Sequence, residues 1–321
     1  MTDDLSAAID THRRDIVLLC YRFLGSVAEA EEAAQETALR AWRGRAAFRG
    51  EASLRTWLHR IATRVCLDIL RQRRGRTLPT LNRPAPADPS LPPEPPANEI
   101  AWLEPLPDEL LAGTPAEDPA ARYDLRESVS LAFIAALQVL PPRQRAVLLL
   151  RDVLGWSARE TAAALDQSES ATTSLLRRAR VALRATHHRT GPEAVAASAP
   201  MEPVARRLLD AYVRAWAADD VDGLLATMRE DVRFAMPPSP AWYDGRPAVA
   251  AALRGWVFGA LRPPGGYVVR ASRANGQPAC TFAGADAPDE PIGVQVLTLR
   301  GEQIHDVTVF LDPILASRFQ E

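Results

Sequence analysis

Arg177, Arg178, Arg180 and Arg184 fall within one short stretch, and no acidic residue stands anywhere from Ser170 to Arg189. Guanidinium groups at helical spacing, with no carboxylate one turn away on the same helix, suit the neutralisation of backbone phosphates. Ahead of them, "SARETAAALDQSESATTSLLRRARVALR" (Ser157 to Arg184) reads as a helix, a polar turn at Asp166-Gln167-Ser168 and a second helix, the helix-turn-helix pattern. The small residues Ala162 to Ala164 let two helices cross closely, and Ser168 suits an N-cap. The exposed face of the second helix then carries Ser170, Thr173, Ser174, Arg177 and Arg178 toward a major groove. A plain helical hairpin would show the same pattern; the uncompensated arginines favour DNA.

A second stretch, "FRGEASLRTWLHRIATRVCLDILRQRR", interleaves Phe48, Trp57 and His59 with Arg49, Arg55, Arg60 and Arg64. Aromatic faces beside guanidinium groups are what single-stranded bases stack on, and Arg71, Arg73, Arg74 and Arg76 are placed to meet phosphates. Taken alone, Trp57 fits a core position better. A third stretch, "EAEEAAQETALRAW", sets Glu32 and Glu36 one turn apart with Glu29 and Gln35 beside them, while Ala30, Ala34, Ala38 and Ala41 offer a flat packing side. On its own that is an ordinary solvated face.

Little else invites catalysis. Cys20, Cys66 and Cys280 are far apart in sequence, without CxxC or metal-ligand spacing, and read as buried small hydrophobes. No metal and no cofactor is expected. His305 and Asp306 adjoin on an expected strand, where neighbours point to opposite faces, so no dyad is expected.

These residues need elements to position them. Ile16, Leu19, Cys20 and Phe23 recur at helical spacing, a second helix runs from about Ala28 to Trp42 after Gly25-Ser26, and a third starts at Ser53. From Thr77 to Pro119 proline recurs constantly, which forbids regular helix. Within that tether Ile100, Trp102, Leu103 and Leu106 form an apolar cluster that some surface should bury. Helices resume from about Asp124 to His187. After a second tether come helices at Val204 to Ala218, Val221 to Arg229 and Arg246 to Gly259. Strands follow at Gly266 to Ala274, Ala279 to Ala283, Ile292 to Leu299 and Gln303 to Leu311, divided by turn signals such as Asn275-Gly276.

The chain's 321 residues favour two or three domains, and its 47% hydrophobic content is ordinary for a globular protein. All 38 basic residues are arginine, and they segregate. Arg40 to Arg76 holds eleven arginines against two acids, and Thr77 to Asp124 holds nine acids against two arginines. That order suits two nucleic-acid-facing modules on an acidic tether. The charged N-terminal residues lack a signal-like apolar run, which places the chain in the cytoplasm and off the membrane.

In order and spacing, "AEAEEAAQETALRAW", "SLRTWLHRIATRVCLDILRQRR" and "LPPRQRAVLLLRDVLGWSARETAAAL" resemble the extracytoplasmic function group of the sigma-70 family, from about Leu5 to Arg184. The resemblance implies that the partners are core RNA polymerase and promoter DNA. Glu32, Gln35, Glu36 and Arg40 would face the clamp of the largest polymerase subunit. Phe48, Arg49, Ser53, Arg55, Trp57, Arg60 and Arg64 would capture and line the melted minus-10 strand. The second domain would read the minus-35 element and meet the flap of the second-largest subunit. Arg64 stands where the group usually has Asn, and Asp166 replaces the usual turn Gly. The last 120 or so residues resemble the SnoaL-like, nuclear transport factor-like superfamily, through "MPPSPAWYDGRPAV" and "VTVFLDPILASRF", and "AWLEPLPDEL" resembles a linker motif of sigma factors that carry this extension. Such a fold implies a conical pocket, lined here by Trp242, Tyr243, Trp256 and Phe310 with Asp244, Arg246, His305 and Asp306 as polar groups, that would accept a small-molecule ligand.

The expected architecture is multidomain. An all-α region 2 domain (1–76), a Pro-rich acidic linker (77–123) with Trp102 and Leu103 as regulatory residues, an all-α region 4 helix-turn-helix domain (124–189), a tether (190–200) and an α+β SnoaL-like cone (201–321) follow one another. The expected function is a non-enzymatic promoter-specificity factor modulated by intramolecular docking of its C-terminal domain. The rivals are a SnoaL-like enzyme or binding protein regulated by a helix-turn-helix module, and a repressor acting on duplex DNA without polymerase.

Overall fold

The structure, a computed structural model, describes residues 9–48, 50, 52–73, 75–82, 85, 88–97, 99–111, 127–190 and 203–319, with side chains excepted at 47 and 186–190. It divides into two compact units. One joins Met1–Arg76 to Glu109–Glu117 and Ala132–Pro192; the other joins Thr77–Asp108 to Asp118–Leu131 and Glu193–Glu321.

The first unit is helical. Helix α1 (Arg13–Leu24) buries Ile16, Leu19, Cys20 and Phe23 and ends at Gly25, whose φ of 69° reverses the chain without a Cβ penalty. Helices α2 (Val27–Gly44) and α3 (Leu54–Gln72) start at Ser26 and Ser53, whose hydroxyls accept the Glu29 and Thr56 N–H groups. Cys20 and Cys66 meet in this core, and burial together with Cys20 pushes the Cys66 thiol up, as expected of inert packing cysteines. Helix α5 (Leu131–Val139), helix α6 (Pro142–Leu148, continued as a π turn over Leu149–Val153), helix α7 (Ala158–Ala164) and the long helix α8 (Glu169–Thr190) complete the unit; a four-residue helix α4 (Pro79–Asn82) lies in the linker of the other unit.

In the second unit, helices α9 (Pro203–Ala217), α10 (Val221–Thr227) and α11 (Arg246–Ala252, continued as a π stretch over Leu253–Ala260) accompany one six-stranded sheet. Its order is β2 (Trp242–Asp244), β1 (Met228–Ala235), β6 (Gln303–Phe310), β5 (Pro291–Arg300), β4 (Gln277–Gly284), β3 (Tyr267–Ala274). Only the β1–β6 pair is parallel. The helix expected over Val221 to Arg229 stops at Thr227, and Met228 opens β1. One face of the sheet packs Val232, Phe234, Tyr243, Phe282, Leu297 and Val309 against Leu209, Tyr212, Trp216 and Trp256. The C-terminal helix α12 (Pro313–Ala316) packs against β5, and β4 is buried at every residue.

Candidate functional site

The helix-turn-helix is built by its caps. Ser157 and Glu160 form a reciprocal capping box that starts α7, and the Ser168 hydroxyl accepts the Ala171 N–H to start α8. Between them Asp166 takes a left-handed φ of 51°, a conformation Asp tolerates better than most residues. Ser170, Thr173, Ser174, Arg177 and Arg178 are all exposed on α8, while Thr172, Leu176 and Ala179 are buried. Arg177 and Arg178 form no ion pair with a described residue. Arg180 differs: Asp152 grips it bidentately at 2.9 and 2.7 Å, so it ties α8 to the preceding π turn.

On the first helices, the rings of Phe48 and Trp57 stand 5.0 Å apart, and Trp57 is only half-buried. This is an accessible aromatic pair at the start of α3. Arg55 is held by Asp15 at 2.7 Å and Arg64 by Asp166 at 3.1 Å, while Arg60 is half-buried with its Nε unpartnered and Ser53 serves as N-cap. Arg49 lies outside the described residues. His59 is a core group: burial, then Arg55, lowers it to about 4. On α2, Glu32 and Gln35 are exposed, and Arg40 is clamped between Glu36 at 2.7 Å and Asp68 at 3.1 Å, both of which raise its pKa. Leu39 and Trp42, 51% and 37% exposed, extend the face of Glu32, Gln35 and Glu36 along the helix. Sequence reasoning passed both over, although Leu39 stands seven residues after Glu32 and Trp42 seven after Gln35, a spacing that keeps them on one helix face.

The pocket expected in the C-terminal domain does not assemble from the expected residues. Tyr243 and Trp256 share the core, with rings 5.9 Å apart, and burial pushes the Tyr243 hydroxyl up to about 12. Strand alternation turns Trp242 and Asp244 to the opposite face of the sheet, where Asp244 is registered against Arg233 and Arg233 against Asp306. Phe310 alternates with the core residues Val307 and Val309 and does not join them. The Arg246 guanidinium is spent on the Met228 carbonyl. Nor is His305 separated from Asp306: Nδ1 lies 2.5 Å from the Asp306 carboxylate. Thr298 is registered with Asp306 and Leu299 with Ile304, so His305 is the extra residue of a β-bulge and both side chains fall on one side. Arg233 holds the other oxygen of Asp306 at 2.6 Å, and His305 Nε2 looks toward Asp231 at 3.9 Å. The dyad is thus part of a polar network with Arg233 and Asp231 on the sheet face opposite the Tyr212 and Trp256 core.

What the C-terminal domain does hold is the linker. Trp102 is 8% exposed, Leu103 and Leu106 are buried, and the Trp102 indole N–H donates to the Ala97 carbonyl. Thr77 brackets Trp102 through its backbone bonds to Ala101 and Leu103. The Ala97 N–H donates to Pro238 and the Ser239 hydroxyl to the Glu94 carbonyl. At the β3–β4 turn, Leu106 and Asn275 exchange two bonds of 2.8 Å, backbone N–H of each to carbonyl or side-chain oxygen of the other. Asn275 Nδ2 donates to Val129, the Leu131 N–H donates to Gln277, and Asp108 accepts from Arg273 and from the Gly276 N–H. Asn275, Gln277 and Asp108 hold these linker contacts, and sequence reasoning passed them over.

Among the described residues no helix is long and apolar enough to cross a membrane, and no group of His, Cys, Asp and Glu is placed to hold a metal ion. Family models match in chain order: sigma-70 region 2 over residues 8–76, sigma-70 region 4 over residues 130–183 and a SnoaL-like domain over residues 209–310. The chain is 43% identical over 320 residues to the ECF RNA polymerase sigma factor SigG of Mycobacterium tuberculosis, covering 98% of this chain and 83% of that protein. It is 27% identical over 227 residues to the probable ECF RNA polymerase sigma factor SigI of the same species, covering 70% and 67%. The crystal structure of the Mycobacterium tuberculosis extracytoplasmic function sigma factor SigJ superposes with a TM-score of 0.60 at 22% identity, over 97% of each chain, and shares the fold. With three family segments in order and close identity over nearly its whole length, this chain belongs to the extracytoplasmic function RNA polymerase sigma factors and carries a SnoaL-like domain at its C-terminal end.

Proposed function

We propose that this sigma factor recruits core RNA polymerase in the cytoplasm through the α2 face, with Glu32, Gln35 and Glu36 against the clamp and Leu39 and Trp42 as its apolar margin. Phe48, Arg49, Ser53, Arg55, Trp57, Arg60 and Arg64 serve the melted minus-10 strand. Ser170, Thr173, Ser174, Arg177 and Arg178 meet the minus-35 duplex, and the same domain meets the flap. Arg40, locked by two carboxylates, positions the acidic face rather than reaching the polymerase itself. The domain limits that accompany this assignment are 1–76, 77–123, 124–189 and 201–321. A sigma factor has no catalytic activity of its own, and the chain is read here as non-enzymatic.

That domain acts by holding the linker. The observation that carries this reading is the burial of Trp102, Leu103 and Leu106 in one unit with the domain. Replacing Trp102 by Ala removes a buried side chain whose loss costs about 3 to 5 kcal/mol, and a truncation ending at Pro200 removes the holder entirely. Transcription by both at equal protein level is the test: truncation lowers output, Trp102→Ala raises it. Wild-type output from both would leave the domain without a regulatory role and return the enzyme reading to consideration.

A further inference from the structure

Helix α8 begins at Glu169, the only acid in a helix that otherwise carries five arginines. Most polar side chains around its first turn are already bonded within the helix. The Ser168 hydroxyl accepts the Ala171 N–H at 3.2 Å and meets the Ser170 hydroxyl at 3.0 Å, and the Thr173 hydroxyl donates to the Glu169 carbonyl at 2.9 Å. Gln167, just ahead, spends its amide on the Thr172 hydroxyl at 2.9 Å. Glu169 is exposed, and its carboxylate forms no hydrogen bond or ion pair with a described residue. The first-turn acid of α7 does have a structural task, since Glu160 closes the capping box with Ser157.

The helix dipole favours an acid in a first turn, but on a recognition helix the first turn is the part that enters the major groove. There an unpaired carboxylate lies among phosphates and is repelled. Its charge suits that place only opposite hydrogen-bond donors, and base edges offer two in the major groove, the N4 amino group of cytosine and the N6 amino group of adenine. Adenine sets the N7 acceptor beside its amino group, which meets a carboxylate badly; cytosine presents its amino group alone. Residues 169–176 contain no Arg, Lys, Asn or Gln, so nothing else at the groove end of α8 offers the bidentate contacts that read guanine or adenine, and the first arginine, Arg177, stands two turns in. We propose that Glu169 reads a cytosine in the minus-35 element by accepting a hydrogen bond from its N4 amino group. The inference rests on the assignment of α8 to the minus-35 duplex above and adds Glu169 to it as a specificity-determining residue.

The test is transcription by core polymerase with the full chain from a template library randomised around minus 35, each template carrying a transcribed barcode that is sequenced. With the native chain, one position favours cytosine over the other bases by at least about fivefold, the lower end of what a base contact supplies. Glu169→Gln moves the preference at that position to adenine, because a carboxamide pairs with both N6 and N7. Glu169→Ala levels it, and the other positions keep their preferences in both variants. Neither variant touches the N-cap of α8, which Ser168 supplies. Identical preferences in all three proteins, or a change in output that is the same on every sequence, overturns the proposal and leaves Glu169 as a first-turn acid only. Absence of any chain-dependent transcript would count against the functional assignment instead. Selection of randomised duplex by the full chain alone, with the same exchange of cytosine for adenine expected in Glu169→Gln, would then decide the role of Glu169, and no selection at all would overturn it.

Discussion

Asn275 offers the sharpest perturbation of the linker contact. It is fully buried, its φ of 57° is one that Asn and Gly accept, and its side chain satisfies the Leu106 N–H at 2.8 Å and the Val129 carbonyl at 2.6 Å. Asn275→Gly keeps the turn and removes both bonds, so a buried donor and a buried acceptor are left unsatisfied, at about 1 to 3 kcal/mol each. Even about 2 kcal/mol corresponds to a roughly thirtyfold faster local opening. Native-state hydrogen exchange reads this directly at two amides, that of Leu106 and that of residue 275, which donates to the Leu106 carbonyl. Both lose protection by at least that factor while amides of β5 and β6 keep theirs. Unchanged protection at Leu106 would refute the reasoning, because its N–H would then have another source of shelter than the Asn275 side chain.

Reversing Glu32 and Glu36 to Arg abolishes co-purification with core polymerase while leaving the helical unit folded, since exposed charges contribute little to stability; circular dichroism and pull-down check the two halves. Replacing Arg177 and Arg178 by Ala weakens promoter binding and reduces the slope of log affinity against log salt by about 1 per lost phosphate contact, measured by titration at several salt concentrations. His59 is held at about 4 in the folded chain, against about 6.5 unfolded. The unfolded state therefore takes up the proton first as pH falls. Stability of the first helical domain is full above about 6.5 and declines by roughly 3 kcal/mol between about 6.5 and 4; urea midpoints across that range show the decline, and His59→Gln flattens it.

The parts of the fold that were legible are those whose signals are local. Ser26, Ser53, Ser157 and Ser168 announce helix starts that their hydroxyls then cap, and the arginines of α8 announce an exposed face. Strand β1 was not legible: Met228 and Arg229 read as the end of a helix, and pairing with β6 and β2 overrides that preference. Asn275-Gly276 reads as a hairpin turn and is one, but the partner of its side chain stands 169 residues earlier, beyond any periodicity argument. His305 defeated the alternation rule because a bulge adds a residue without turning the face. The Cys20–Cys66 meeting likewise depends on how α1 crosses α3.

Run-off transcription with core polymerase, on template carrying the DNA upstream of this chain's own gene, tests the central claim most directly. The account predicts a discrete transcript that requires the chain and that disappears with the Glu32 and Glu36 reversal. Absence of any chain-dependent transcript, together with failure of the chain to co-elute with core polymerase, would contradict it.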